Sequence, residues 1–314
     1  MSSMRTTTSL RRLVSATLRR IDDRSPATRR GPRRKRRGPD DEDLGTEIAE
    51  LREQLDALRA QMHYMELLFG PTGGRGDRRP SRKAIATLEG QISAVTGTED
   101  PHIAVVQAYG SLVEAEMRGV GRIAGGSMNV LGKLVTTPML EPPNGEVLEI
   151  GSLYGLFSCC FARELVRYGV DYHLTLVDPL ASVQIQPGRR NGVDRSGSPV
   201  SEEVLRANLS LAGVPAERAR LHKGYSTDPE VRSAVGDREY GVVIIDGDHS
   251  AEGVREDLHW VMDLVTEGTV VVLDDYGDKK WPGVQEATDE FLRTSDRFDF
   301  LGAVATSAFL RARA

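Results

Sequence analysis

Two short segments gather the residues best suited to chemistry. One apolar run ends in Ile244-Ile245-Asp246-Gly247-Asp248-His249-Ser250, and a second, TVVVL, ends in Asp274-Asp275-Tyr276. Both runs read as buried strands, so Asp246 and Asp274 stand at strand carboxyl ends, with Asp275 next in the chain. Neighbouring parallel strands bring those ends together, and open α/β sheets hold ligands there. Three carboxylates at short range repel one another unless a positive charge joins them. A hard divalent cation, bound through oxygen, does this. Asp246, Asp274 and Asp275 are thus candidate ligands for Mg²⁺ or another divalent cation. His249, an imidazole that titrates near neutral pH, is a candidate general base. The plainer alternatives are solvated or helix-capping acids and a histidine that only hydrogen-bonds locally.

Upstream, VLEIGSLYG (147–155) joins a buried strand to a tight turn. Gly151 and Gly155 there let the backbone approach a ligand, and the following helix N-terminus favours an anionic group. The spacing from Glu149 is Glu-x-Gly-x-x-x-Gly, unlike the Gly-x-Gly-x-x-Gly of dinucleotide sites. The next strand, HLTLVDP, ends at Asp178, an acid placed to accept two ribose hydroxyls or simply to form a turn. After a third strand, KGYSTD (223–228) offers Ser226 and Thr227 to the edge of an adenine ring. Glycine turn, acid and small polar loop follow the order of a class I S-adenosylmethionine methyltransferase.

Taken with IDGDHSAEGVREDL and DDYGDKKWPGV, these blocks resemble the metal-dependent O-methyltransferases. The likeness is to the methyltransferase 24 group and its antibiotic-sugar relatives such as macrocin O-methyltransferase, and more distantly to catechol O-methyltransferase. It covers about residues 143–314. It implies a Rossmann-like, seven-stranded sheet with helices on both faces. The implied S-adenosylmethionine contacts are Glu149, Gly151, Ser152, Gly155, Asp178, Ser226, Thr227 and Asp246. The implied metal ligands are Asp246, Asp274 and Asp275, with His249 as the base where the catechol enzymes carry lysine. The implied reaction moves a methyl group to a hydroxyl of a small molecule, a sugar or natural product. Tyr276 and Trp281 are candidates to line the acceptor pocket.

The elements that must position these residues are visible as an alternation. From Glu146 onward, short apolar strands (VLEI, LTLV, ARLH, GVVIID, TVVVLDD) alternate with amphipathic helices, the pattern of a mainly parallel sheet covered on both faces. FDFLGAVATSAFLRAR (298–313) is expected to add a closing antiparallel hairpin. Residues 84–142 are helical in pattern and end at EPPNG (141–145), a lead-in expected to cap the active site. PTGGRGDRRPSRK, within 70–83, reads as a linker.

Before the linker, Ile48, Leu51, Leu55, Leu58, Met62 and Met65 alternate steps of three and four, a coiled-coil seam over 44–69 that predicts a homo-oligomer. Residues 1–40 hold thirteen Lys and Arg against three Asp, while the rest carries 28 basic and 43 acidic residues. Residues 1–43 therefore read as a disordered basic tail able to contact polyanions weakly. Two adjacent cysteines, Cys159 and Cys160, cannot staple a fold or build a Cys-ligated zinc site, and no stretch approaches the ~18 apolar residues of a membrane span. A reduced, cytoplasmic setting is expected. Two alternative functions stay open: a nucleic-acid-modifying methyltransferase guided by the basic arm, and a non-catalytic coiled-coil adaptor with this fold.

Overall fold

The near-continuous apolar runs of the C-terminal half form the middle of one seven-stranded sheet. The computed structural model describes residues 45–58, 62, 78–186 and 198–314. Its strands are β1 (Glu146–Ile150), β2 (His173–Asp178), β3 (Ala219–Lys223), β4 (Tyr240–Ile245), β5 (Val265–Leu273), β6 (Phe298–Val304) and β7 (Ser307–Ala312). They lie in the order β3-β2-β1-β4-β5-β7-β6. β1 to β5 pair in parallel, and β7 runs antiparallel between β5 and β6, the closing hairpin expected from 298–313.

Side-chain alternation explains why both faces need helices. Val147, Val242 and Val270 point to one face and Leu148, Val243 and Val271 to the other, and all six are buried. Such strands read as unbroken apolar runs because neither face meets water. The first face is covered by α1 (Arg82–Thr96), α2 (His102–Arg118), α3 (Ser127–Met139), α4 (Leu156–Arg167) and α5 (Glu202–Leu211), through residues such as Leu134, Phe161 and Leu205. The second is covered by α6 (Pro229–Val235), α7 (Ala251–Val261) and α8 (Pro282–Thr294), through Val254, Leu258 and Phe291. Each fully buried aliphatic or aromatic side chain stabilises the fold by roughly 1.5–3 kcal/mol relative to exposure.

The lead-in is helical as expected. α1 packs on α3 and β6, and α2 packs on α4 and α3. The end of the segment read as a linker is anchored. Arg78 is buried, with Nε and Nη2 donating to the two Glu116 carboxylate oxygens at 2.7 and 2.8 Å and Nη1 to the Gly125 carbonyl at 2.8 Å. The hydroxyl of Ser81 then caps α1 by accepting from the Ala84 N–H.

Chain contacts separate two units, Met1–Gln54 and Leu55–Ala314. The helix expected over 44–69 is present at 45–58, where Ile48, Leu51, Leu55 and Leu58 are exposed, as is Met62. The rest of that segment apart from Met62, the residues 1–43 read as a basic tail, residue 44, linker residues 70–77 and residues 187–197 lie outside the described residues. Among the described residues no helix is long and apolar enough to cross a membrane.

Candidate active site

Backbone pairing sets the three central strand ends level with one another. Ile150 of β1 is in register with Ile245 of β4, and Ile245 with Leu273 of β5. One further hydrogen bond extends each ladder: the Asp246 N–H donates to the Ile150 carbonyl at 2.8 Å, and the Asp274 N–H to the Ile245 carbonyl at 2.9 Å. Gly151, Asp246 and Asp274 therefore sit side by side at the carboxyl edge of the sheet. They open onto a cleft of about 490 Å³ that Glu149, Ser152, Asp178, Ser226, His249 and Asp275 also line.

The β1 end of the cleft is built for close approach. Gly151 has φ +90, and a Cβ there would lie 2.1 Å from the Asp246 carbonyl oxygen, so only glycine fits. Gly155, φ +71, is the N-cap residue of α4 and shapes the turn from behind. Asp178, at the tip of β2, accepts from the Leu153 N–H at 2.7 Å through Oδ2 and from the Leu180 N–H at 2.8 Å through Oδ1. The Ser152 N–H also bears on it, and a carboxylate has about four acceptor sites, so capacity remains for a ligand hydroxyl. Burial raises the Asp178 pKa even so. Glu149 is fully buried on the adjoining face, which pushes its carboxyl up to about 8 although the Ser158 hydroxyl donates to it. At neutral pH it holds a proton.

The β4–β5 end carries the charge. Lys133, on α3, is 1% exposed. Its Nζ lies 3.0 Å from Asp246 Oδ2 and 2.7 Å from Asp274 Oδ1, with the Phe157 ring centroid 4.8 Å away. On the other side of Asp246, His249 places Nε2 3.3 Å from Asp246 Oδ1 and Nδ1 3.2 Å from Asp275 Oδ2. These are ion-pair distances, although neither ring nitrogen is aligned for a hydrogen bond. Asp275 takes a left-handed backbone conformation, φ +57, that aspartate tolerates better than most residues. Burial alone would lower the His249 pKa, but the Asp246 and Asp275 carboxylates outweigh it and raise it to about 10. Burial likewise pushes Asp246 upward, yet Lys133 and then His249 hold it below the usual carboxylate range. Asp274 is raised, by burial and then by repulsion from Asp246. In this arrangement His249 is an imidazolium. It accepts a proton only if its carboxylate partners are drawn elsewhere.

These residues fit a divalent cation. One ligand atom from each of Asp246, His249 and Asp274 lies within 4.8 Å of the others. Small side-chain movements would bring that set to the ~4.2 Å span of an octahedral Mg²⁺ shell. The carboxylates already converge on one positive centre, the Lys133 ammonium. Asp275, expected as a third ligand, faces His249 instead.

Several expectations need correction. Thr227 is exposed and lies off the cleft, whereas Tyr225 and Ser226 line it. The β3–α6 turn leaves only its first residues facing the ligand side. Tyr276 does not line the cleft: its hydroxyl donates to Asp289 at 2.8 Å and its ring packs on Phe300. Trp281 does line it, edge-on to His249 with ring centroids 5.0 Å apart. The lead-in reaches the cleft through residues 122–126, Asn129 and Lys133, all in α3 or the turn before it. Lys133 went unread in the sequence, and the available signal was that it is the one charged residue in the α3 segment SMNVLGKLVTTPM. Gln186 was also missed: its Nε2 donates to the Gly247 carbonyl at 2.9 Å and so steadies the Asp246–His249 turn.

Residues 148–276 match the methyltransferase 24 family model, described as a methyltransferase domain. Solved structures similar to this chain include the O-methyltransferase TomG from Streptomyces achromogenes, involved in tomaymycin synthesis and solved with S-adenosylmethionine. It is 19% identical, with 67% of this chain and 90% of that chain covered and a TM-score of 0.41. Another is an O-methyltransferase from Bacillus cereus in complex with S-adenosylhomocysteine, at 13% identity, with coverage of 73% and 100% and a TM-score of 0.43. A third is CalS11, a TDP-rhamnose 3'-O-methyltransferase of calicheamicin biosynthesis, at 19% identity, with coverage of 74% and 95% and a TM-score of 0.44. No curated protein matches the sequence.

Proposed function

We propose that this chain, which carries a methyltransferase domain of that family over residues 148–276, moves a methyl group from S-adenosylmethionine to a hydroxyl of a small molecule, a sugar or natural product. The observation that carries the reading is one cleft joining two parts: the Gly151 turn with Asp178 at one end, and the Asp246–Asp274 carboxylate pair at the other. Asp178 keeps acceptor capacity for a ribose hydroxyl, and Ser226 and Tyr225 close the adenine end. Gly151 lets the backbone approach the methionyl part. Methyl transfer needs the acceptor oxygen in line with the sulfonium methyl, so holding the two partners is most of the work.

Asp246 and Asp274, joined by His249 or Asp275, would hold the divalent cation. When bound, such an ion lowers the pKa of an acceptor hydroxyl and orients its oxygen. Trp281, which lines the cleft and packs on His249, helps exclude water from the acceptor side.

Isothermal titration calorimetry with S-adenosylhomocysteine and with NAD tests the cofactor assignment. The thioether should bind and NAD should not. Binding of NAD alone would overturn the reading.

A further inference from the structure

We propose that Lys133 is a resident cation of this site, one that holds Asp246 and Asp274 in place of a metal and must withdraw before a divalent cation can bridge them. The inference rests on the metal reading above.

Placement is the first support. α3 is buried along nearly its whole length, from Asn129 to Pro138, and Lys133 is its one charged residue. A lone ammonium in such a position is costly unless it is paired, and here both partners are the carboxylates at the ends of β4 and β5. Removing it would leave two acids facing each other.

Competition for the same negative charge is the second. Lys133 takes Asp246 Oδ2 and Asp274 Oδ1, and His249 faces the other oxygen of Asp246. Asp246 thus has an internal cation beside each of its oxygens, so an incoming ion meets like charge on either side. A second cation on the Lys133 pair of oxygens would stand beside the buried ammonium, and like charges at that range repel. Of the two internal cations, Lys133 is better able to leave. Its four-carbon stem is flexible, whereas the His249 ring is held edge-on by Trp281.

The test is Mn²⁺ binding followed by electron paramagnetic resonance on the full chain, for wild type and Lys133→Met. Removing the competitor should tighten Mn²⁺ binding by tenfold or more. Lys133→Arg, which keeps the charge, should bind no tighter than wild type. Should Lys133→Met fold poorly, Lys133→Gln serves in its place, with the Mn²⁺-induced rise in melting temperature as readout, expected to exceed that of wild type. Equal or weaker Mn²⁺ binding by the neutral variants would overturn the role of Lys133 while leaving the metal reading intact. No Mn²⁺ binding by any variant would overturn both.

Discussion

Glu149 shows how one buried residue can carry a pH signature for the whole fold. Unfolded, its carboxyl titrates near 4.5; folded, burial holds it near 8. Between those values the unfolded chain gives up a proton that the folded chain keeps, so stability falls as pH rises through that window. Glu149→Gln mimics the protonated form and should remove this part of the slope. Urea unfolding of both proteins from pH 5 to 8.5 checks it, and identical pH slopes would assign the titration to another group. The candidate acids were legible because each ends a run of apolar residues, and such a run reads directly as a buried strand with the acid at its tip. Lys133 was not. Its partner Asp246 lies 113 residues away, and no local pattern reports a pairing across that separation.

At the scale of elements, the start of α8 is wedged against the turn that carries His249. A Cβ at Gly283 would lie 2.6 Å from the Ala251 nitrogen and 3.2 Å from the His249 carbonyl oxygen. Gly283→Ala should therefore push α8 and Trp281 away from that turn, costing about 1–3 kcal/mol as overpacking does. Gly90, inside α1, has nothing within 4 Å of its added Cβ. Gly90→Ala should be neutral or stabilising by up to about 1 kcal/mol. Urea midpoints measured side by side would contradict the wedge if both variants behaved alike. Strand positions could be read from the sequence because two-residue alternation and unbroken apolar runs reflect burial directly. Turn detail could not. Thr227 and Tyr276 follow strands as their neighbours do, yet a change of backbone direction after Ser226 and after Asp275 turns them away from the cleft.

For the whole molecule, strand order matters more than any single contact. Placing β1 between β2 and β4 puts the glycine turn next to Asp178 on one side and Asp246 on the other, and β5 then adds Asp274. One edge of one sheet thus offers a cofactor end and a cation end to the same cleft. Methyl donor and divalent cation are expected to be held together in this cleft. Nuclear magnetic resonance of S-adenosylmethionine carrying a ¹³C-methyl group, bound to the full chain and titrated with Mn²⁺, measures that directly. Stoichiometric Mn²⁺ should broaden the bound methyl signal strongly, and Asp274→Asn should largely remove the broadening while the donor stays bound. A sharp, unshifted methyl signal in a sample where both donor and Mn²⁺ are shown to be bound would contradict the account.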